Sequence, residues 1–374
     1  MKADFWRTKS VLVTGADGFV AANLIYQLLG LGASVTGIMR TRKAFSRLRA
    51  LGVDDQINQV VGTITDFDLV CSTLSKFEVD TVFHLGASSQ VTVAAASPLD
   101  TFQSNVMGTW NILEASRLSN GIVKRIVVAS SDKAYGDHRD SLPYKEEYTL
   151  RGLFPYDCSK SCTDLIAQTY FFTYKLPIRI TRCTNIYGHG DLNFRRLIPA
   201  TIIRTLLRKP TTVDARTAGV KREYLFITDA VEAYVQLMES IDPEDKGQDE
   251  KAASVPLEGC KAYSWCAYNI GGGKQNVKSV EEVIDSILEI MHAPKELKVT
   301  MPQDNHGETR RGYFELPNQW TDATKIRTEI GWKPTTRLIP IGLGKTIEWY
   351  EENFPKFEAT ARACFARYEP RIVR

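Results

Sequence analysis

From residue 10 the chain repeats one local pattern, a short apolar run followed by a segment with helical spacing. The runs are 10–14 (SVLVT), 33–39 (ASVTGIM), 57–61 (INQVV), 80–84 (DTVFH), 124–129 (KRIVVA) and 178–182 (IRITR). Helices are predicted over 18–31, about 98–118 and about 155–174. Strands that alternate with helices in this way imply a parallel sheet covered by helices on both faces. Past residue 185 the alternation fades into loops, a helix near 194–208 and a short helix beginning at Asp229. A strand at 266–270 and helices over 279–291, 322–330 and 338–353 follow, and the charged stretch 243–262 reads as an exposed insertion. No internal repeat or low-complexity tract interrupts the pattern.

The 374 residues exceed one domain of roughly 150, and 43% hydrophobic with 24% charged residues is the composition of a globular chain. A net charge of +3 is too small for the broad basic field that non-specific nucleic-acid binding needs, so no nucleic-acid partner is expected. No apolar stretch reaches the ~20 residues of a membrane span. The N-terminus has no signal-peptide pattern, which places the protein in the cytoplasm. Seven cysteines form no CxxC pair and read as free thiols. The five histidines show no paired ligand spacing, so no metal site is expected.

The segment Thr14-Gly15-Ala16-Asp17-Gly18-Phe19-Val20-Ala21 lies where the first strand should turn into the first helix. Gly15 permits the tight turn and Gly18 lets a pyrophosphate approach the backbone. Ala21 is small enough for close helix packing at the positive helix terminus. The alternative is a plain strand-to-helix turn. The second strand ends Gly37-Ile38-Met39-Arg40-Thr41-Arg42-Lys43, with three basic residues and no acid. A 2′-phosphate fits there, which favours NADP over NAD; otherwise these side chains begin a solvated helix. The fold class is therefore α/β, a doubly wound parallel sheet with a smaller C-terminal α/β lobe. The division expected is 1–185 for the dinucleotide domain, with some later segments returning to it, and 186–374 for the substrate lobe.

Tyr156 and Lys160 lie four apart and share one helix face. A phenol titrates near 10, and a neighbouring ammonium is expected to lower that value and make Tyr156 an acid/base for alcohol oxidation. Ser130-Ser131-Asp132-Lys133-Ala134-Tyr135-Gly136 follows a predicted parallel strand, at the sheet edge where ligands bind. Ser131 can hold a substrate hydroxyl there.

Together TGADGFVA, HLGA at 84–87, SSDKAYG, YDCSK and Arg182-Cys183-Thr184-Asn185-Ile186-Tyr187-Gly188 resemble the extended short-chain dehydrogenase/reductase family that acts on nucleotide sugars. The trio Ser131-Asp132-Lys133, with Gly190-Asp191 and Arg196-Leu197-Ile198-Pro199, resembles CDP-glucose 4,6-dehydratases. The Gly-Ile-Met-Arg segment instead resembles the NADP-using GDP-mannose 4,6-dehydratases. The resemblance implies a dehydratase in which Tyr156, with Lys160 and Ser131, takes the sugar 4-hydroxyl proton as hydride leaves C4. Asp132 would then protonate the departing C6 hydroxyl. Lys133 would act near C5 as base or electrostatic aid, and the base role demands a neutral amine.

The same resemblance implies cofactor contacts at Gly15, Asp17, Gly18, Phe19, Val20, Arg40, Asp66, Leu85, Ala87, Asn105, Tyr156 and Lys160. Substrate contacts are implied at Gln90, Asn185, Arg195, Arg196, Leu197 and Arg222, with Arg222 suited to a diphosphate or else a surface strand charge. Asn105 is given a structural part near the active site. Segments 98–118 and 155–174 match the helices that form a four-helix dimer interface in the family, so a homodimer is expected. An epimerase or decarboxylase of the same family, or an idle dinucleotide-binding scaffold, are the other readings.

Overall fold

The computed structural model describes residues 3–42, 46–138, 141–242, 265–301 and 318–366. The predicted insertion 243–262 and Lys43 lie outside the described residues.

Seven strands form the main sheet: β1 Ser10–Thr14, β2 Ser34–Met39, β3 Asn58–Val61, β4 Thr81–His84, β5 Arg125–Ala129, β6 Ile178–Cys183 and, after the shorter strands β7 Asn185–Tyr187, β8 Thr211–Asp214 and β9 Lys221–Phe226, the late strand β10 Ala267–Ile270. Their order is β3-β2-β1-β4-β5-β6-β10. Every pairing is parallel. The order reverses direction between β1 and β4, where Thr14 registers with His84, and this is the point at which doubly wound sheets bind ligands.

Among the described residues the helices of ten or more residues are α1 Phe19–Gly30, α2 Phe67–Lys76, α3 Gly108–Leu118, α4 Pro155–Tyr174, α5 Leu197–Leu206, α6 Ile227–Glu239, α7 Val280–Ile290 and α8 Leu343–Ala366. Two apolar clusters cover the two faces of the sheet. One joins Leu24, Ile25 and Leu28 of α1 to Val231 and Val235 of α6. The other joins Val70, Ile112, Leu113 and Ala167, from α2, α3 and α4, to Val82 and Ile126 of the strands. The smaller lobe is built on β9, which pairs parallel to β7, antiparallel to β11 Val277–Ser279 and parallel to β12 Asn318–Gln319.

Three expected elements take a different form. The predicted helix 98–118 is broken by a π-helical turn at Gln103–Met107, between Pro98–Phe102 and α3. The Asn105 carbonyl accepts the hydroxyls of Thr109 and Thr163, and such side-chain competition for a helical carbonyl widens the turn. The helix expected to begin at Asp229 starts at Ile227, because the Asp229 carboxylate is engaged with the Thr335 and Thr336 N–H groups (3.2 and 2.9 Å). The last helix runs on to Ala366, with Tyr350, Phe357 and Phe365 buried.

A buried ion pair ties the layers together. The Arg182 guanidinium on β6 donates from Nε and Nη2 to both oxygens of Asp164 on α4, at 2.8 and 2.9 Å, and both residues are at most 1% exposed. Its Nη1 donates to the Tyr135 hydroxyl at 2.9 Å and to the Glu146 carbonyl at 2.8 Å. Tyr135 in turn donates to Asn269 Oδ1 on β10 at 2.7 Å. Removing one partner leaves an uncompensated buried charge, at a cost of about 3–5 kcal/mol. Asp164→Ala is therefore expected to lower unfolding free energy by that amount in urea titration, whereas Arg362→Ala, at an exposed pair with Glu358, should leave it nearly unchanged.

Candidate active site

A cavity of about 570 Å³ crosses the carboxyl ends of β1, β4, β5 and β6 and opens toward the smaller lobe. At one end stands the glycine loop. Gly15 has φ +66, and a Cβ there would lie 2.8 Å from the Gly86 Cα. This close approach brings the loops after β1 and β4 into backbone contact. Gly18 is the N-cap of α1 and offers no capping side chain, which leaves the helix's first N–H groups available to an anion. Phe19 and Val20 line the cavity with Leu85, Ala87 and Gln90 from the loop after β4.

The His84 ring bridges Thr14 Oγ1 at 2.9 Å and Thr109 Oγ1 at 3.0 Å, and Thr14 Oγ1 accepts the Gly86 N–H at 2.8 Å. Burial, with a smaller contribution from Lys160, pushes His84 down to about 3, so the ring is neutral across physiological pH. The side-chain amide of Asn105 clamps the next stretch: Oδ1 accepts the Ser88 N–H at 2.6 Å, while Nδ2 donates to the Ser88 carbonyl and to Ser159 Oγ on α4. Asn105 thus supports the cavity from beneath.

The cavity centre is formed where a short 3₁₀ turn, Asp132–Tyr135, lies across the first turns of α4. Ser131, Asp132, Lys133, Tyr156 and Lys160 all line it. The Ser131 hydroxyl is hydrogen-bonded both to Asp132 Oδ1, at 3.0 Å, and to the Tyr156 phenol. Asp132 is 3% exposed, and its Oδ2 has no hydrogen-bond partner. Burial raises its proton affinity against the opposing charges of Lys133 and Arg222, the direction that suits a proton donor.

The expected lowering of Tyr156 by Lys160 does not occur. Burial pushes the phenol up to about 12, against Ser131 and the Arg196 guanidinium, which pull it down. Lys160 Nζ instead donates to the Ala129 carbonyl at 2.7 Å, and burial pulls the amine down to about 8. Without the expected ammonium against the phenol, desolvation dominates. Arg196 supplies a cation on the opposite side: its Nη1 pairs with Asp191 at 3.0 Å and its guanidinium lies 6.0 Å from the Phe19 ring centre.

At the far end Asn185, Arg195, Leu197 and Arg222 line the cavity. Arg222 is 6% exposed, which removes the surface-charge reading of this residue. Four expected site residues do not line it. Asp66 is exposed and caps α2, accepting the Leu69 N–H at 3.0 Å. Asp17 accepts the Arg47 N–H at 2.7 Å, Arg40 is exposed just past β2, and Asn105 lies behind the wall. Residue spacing alone did not single out Thr184, Tyr224 and Val280, which line the cavity from three separate elements, or Asp157, which is buried next to Tyr156. Only Asp157 carried a local signal, its place inside the YDCSK segment. Among the described residues no group of three potential metal ligands is found, and no helix is long and apolar enough to cross a membrane.

Residues 12–339 match the GDP-mannose 4,6 dehydratase family, and the chain belongs to it. It is 25% identical to the CDP-glucose 4,6-dehydratase of Salmonella typhimurium over 93% of this chain and 92% of that one. It is 28% identical to a probable dTDP-glucose 4,6-dehydratase of Sinorhizobium fredii, over 92% and 93%. Among solved structures it resembles the dTDP-glucose 4,6-dehydratase of Streptomyces venezuelae with NAD bound, at TM-score 0.76 and 25% identity, over 94% of this chain and 99% of that one. The fold is shared equally with a UDP-glucose 4-epimerase of Thermotoga maritima, at TM-score 0.77 and 21% identity, over 92% and 99%.

The Asn105 clamp gives a direct test. Asn105→Ala removes both bonds to the half-buried Ser88 backbone and the bond to the Ser159 hydroxyl, which keeps its bond to the Tyr156 carbonyl at 2.7 Å, at a cost of about 0.5–1.5 kcal/mol for each bond lost. A lowered melting temperature together with a weakened dissociation constant for the nicotinamide dinucleotide is expected, the latter measured by titration calorimetry.

Proposed function

We propose that the protein is a nucleotide-sugar 4,6-dehydratase, a lyase that converts an NDP-hexose to an NDP-4-keto-6-deoxyhexose. The observation that carries this reading is Asp132: a buried carboxyl inclined to hold its proton, hydrogen-bonded to Ser131 and standing in the same cavity as Tyr156 and Lys160. Oxidation and re-reduction at C4 need only Ser131, Tyr156 and Lys160. An acid beside them has work to do only if a hydroxyl leaves.

The cavity fits a nicotinamide dinucleotide, since the uncapped α1 terminus and the Gly15–Gly86 approach make an anion cradle at one end and Tyr156 and Lys160 stand further along. When bound, that group accepts hydride from C4 and returns it to C6. Tyr156 takes the 4-hydroxyl proton as its phenolate, a form that burial opposes and that the Ser131 hydrogen bond and the Arg196 charge favour. Asp132 gives its proton to the C6 oxygen, which departs as water. Arg195, Arg196 and Arg222 hold the substrate diphosphate with Asn185 at that end, and Gln90 meets the substrate from the loop after β4. Exposed Arg40 and Arg42, with no acid at the end of β2, support NADP as the preferred form.

Mass spectrometry after incubation with CDP-, GDP-, UDP- and dTDP-hexoses tests the reading. Loss of one water from one member is the expected result, with the bound cofactor identified in the same run. An unchanged mass with altered retention would make the protein an epimerase. Asp132→Asn should slow water loss by roughly 100-fold or more, the scale of general-acid catalysis, while C4 oxidation continues and the absorbance of reduced nicotinamide builds up.

We also propose a cytoplasmic homodimer. Leu99 (68% exposed), Phe102 and Trp110 on the 98–118 segment, with Leu165 and Tyr174 on α4, leave apolar side chains outside the core, an arrangement that suits helix-on-helix packing with a second copy. The free state of the described cysteines suits a reducing compartment. Sedimentation should give a dimer mass, and the double variant Trp110→Glu, Leu165→Glu should sediment as a monomer.

A further inference from the structure

The stretch Leu85-Gly86-Ala87 puts two side chains on the cavity wall, and Gly86 makes the close backbone approach to Gly15. One closed set of buried hydrogen bonds holds this stretch from both ends. On the near side Thr14 Oγ1 takes the Gly86 N–H and meets His84 Nδ1, while His84 Nε2 meets Thr109 Oγ1. The Thr109 hydroxyl lies 2.5 Å from the Asn105 carbonyl. On the far side the Asn105 side chain bonds both polar groups of the Ser88 backbone. Thr14, His84, Thr109 and Asn105 are each at most 4% exposed, where an unmade hydrogen bond is costly.

The direction of these bonds follows from the number of hydrogens. A carbonyl oxygen only accepts, so the contact at the Asn105 carbonyl uses the single hydrogen of the Thr109 hydroxyl. The Thr163 hydroxyl gives its own hydrogen to the same carbonyl at 3.0 Å and has none left for Thr109. Thr109 Oγ1 must then accept from His84 at 3.0 Å, which puts the ring proton on Nε2. Gly86 gives its N–H to Thr14 Oγ1 at 2.8 Å, and the Thr14 hydrogen goes to the bare Nδ1 at 2.9 Å. Of the two neutral rings and the cation, only the neutral Nε2–H ring satisfies every atom. A proton on Nδ1 would make Thr14 Oγ1 accept twice and deprive its own hydrogen of an acceptor.

We infer that His84 is a positioning residue for the dinucleotide: as the Nε2–H tautomer it orients the Thr14 hydroxyl that holds Gly86 against the glycine loop, and so sets the width of the anion cradle. The inference rests on the reading of this cavity as a dinucleotide site. The two sides of the ring have separable effects. Nδ1 bonds to the cradle, and without it the Thr14 hydroxyl is free to turn away from Gly86. Nε2 ties the ring to Thr109 and, through the Asn105 carbonyl and the Thr163 hydroxyl, to α4. Losing that tie costs stability but leaves the Thr14–Gly86 bond in place. The charged group acting on the ring is Lys160 on α4, which adds to burial in keeping it neutral.

The test compares the full chain as wild type with His84→Asn, His84→Gln and His84→Phe. Asparagine ends in an amide where Nδ1 stands, so it can take the Thr14 hydrogen. Glutamine reaches the place of Nε2 and can serve Thr109 only, and phenylalanine serves neither. Each protein is titrated with NADP and with NAD by calorimetry, and its melting temperature is measured without either. For the dinucleotide that wild type binds more tightly, His84→Phe and His84→Gln should raise the dissociation constant about 10-fold, the scale of one hydrogen bond, while His84→Asn stays within about 3-fold. The melting temperatures of His84→Asn and His84→Gln should fall alike, since each loses one bond. In protein carrying isotope-labelled histidine, the ring signals that disappear in His84→Asn should report a protonated Nε2 and a bare Nδ1 between about pH 6 and 8.

Weakening by His84→Asn as great as by His84→Gln would make His84 merely structural, and dissociation constants unchanged in all three variants would remove it from the cradle. A protonated Nδ1 in wild type would overturn the direction of the bonds and the inference with it. If His84→Phe does not fold, the comparison of His84→Asn with His84→Gln decides alone. A wild type that binds neither dinucleotide would instead overturn the parent reading.

Discussion

The bidentate pair between Arg182 and Asp164 holds the site together from behind. A guanidinium and a carboxylate removed from water are tolerated only when every donor and acceptor finds a partner, and here Arg182 also binds Tyr135 and the Glu146 carbonyl. Through those contacts one charge joins α4, which carries Tyr156 and Lys160, to β6 and to the turn that carries Asp132 and Lys133. The Tyr135 hydroxyl extends the network to Asn269 on β10, whose side-chain amide also donates to the Tyr144 carbonyl at 2.9 Å. The side chains proposed for catalysis, on the 131–133 turn and on α4, are thus held by one desolvated network, which leaves them little freedom to drift.

Within that frame, burial sets the proton affinities more than any single neighbour does. Tyr156 is raised, Lys160 lowered, His84 made neutral, and Asp132 and Asp157 are moved toward their protonated forms. Fixed charges act as corrections to this background: Arg196 against Tyr156, Lys133 against the two carboxyls. Asp132 lines the cavity with its protonated form favoured, and Asp157, buried next to Tyr156, lies outside that lining.

The sheet strands, the glycine turn and the Ser131, Tyr156, Lys160 set were legible in the chain because each depends on local spacing: an apolar run, a glycine at a turn, two residues four apart on a helix. Asn105 was legible as a position near the site but not as the centre of a π turn, since the hydroxyls that widen the turn come from Thr109 and from Thr163 on another helix. The strand at 266–270 was recognisable as a strand, whereas its place at the edge of the main sheet, beside β6, follows from long-range pairing. Asp66, expected as a cofactor contact, also caps α2 in the fold, because an acid before a helix satisfies the nearest N–H group.

The amino-acid sequence by itself determined the α/β order, the glycine turn and the residue types that can oxidise an alcohol and expel a hydroxyl. The tertiary structure alone decided where charge can exist. Whether Lys160 faces Tyr156 or the Ala129 carbonyl, whether Arg222 is a surface charge or a cavity wall, and how readily Asp157 gives up its proton all depend on burial. That quantity is a sum over neighbours brought in from distant parts of the chain, and no local spacing encodes it.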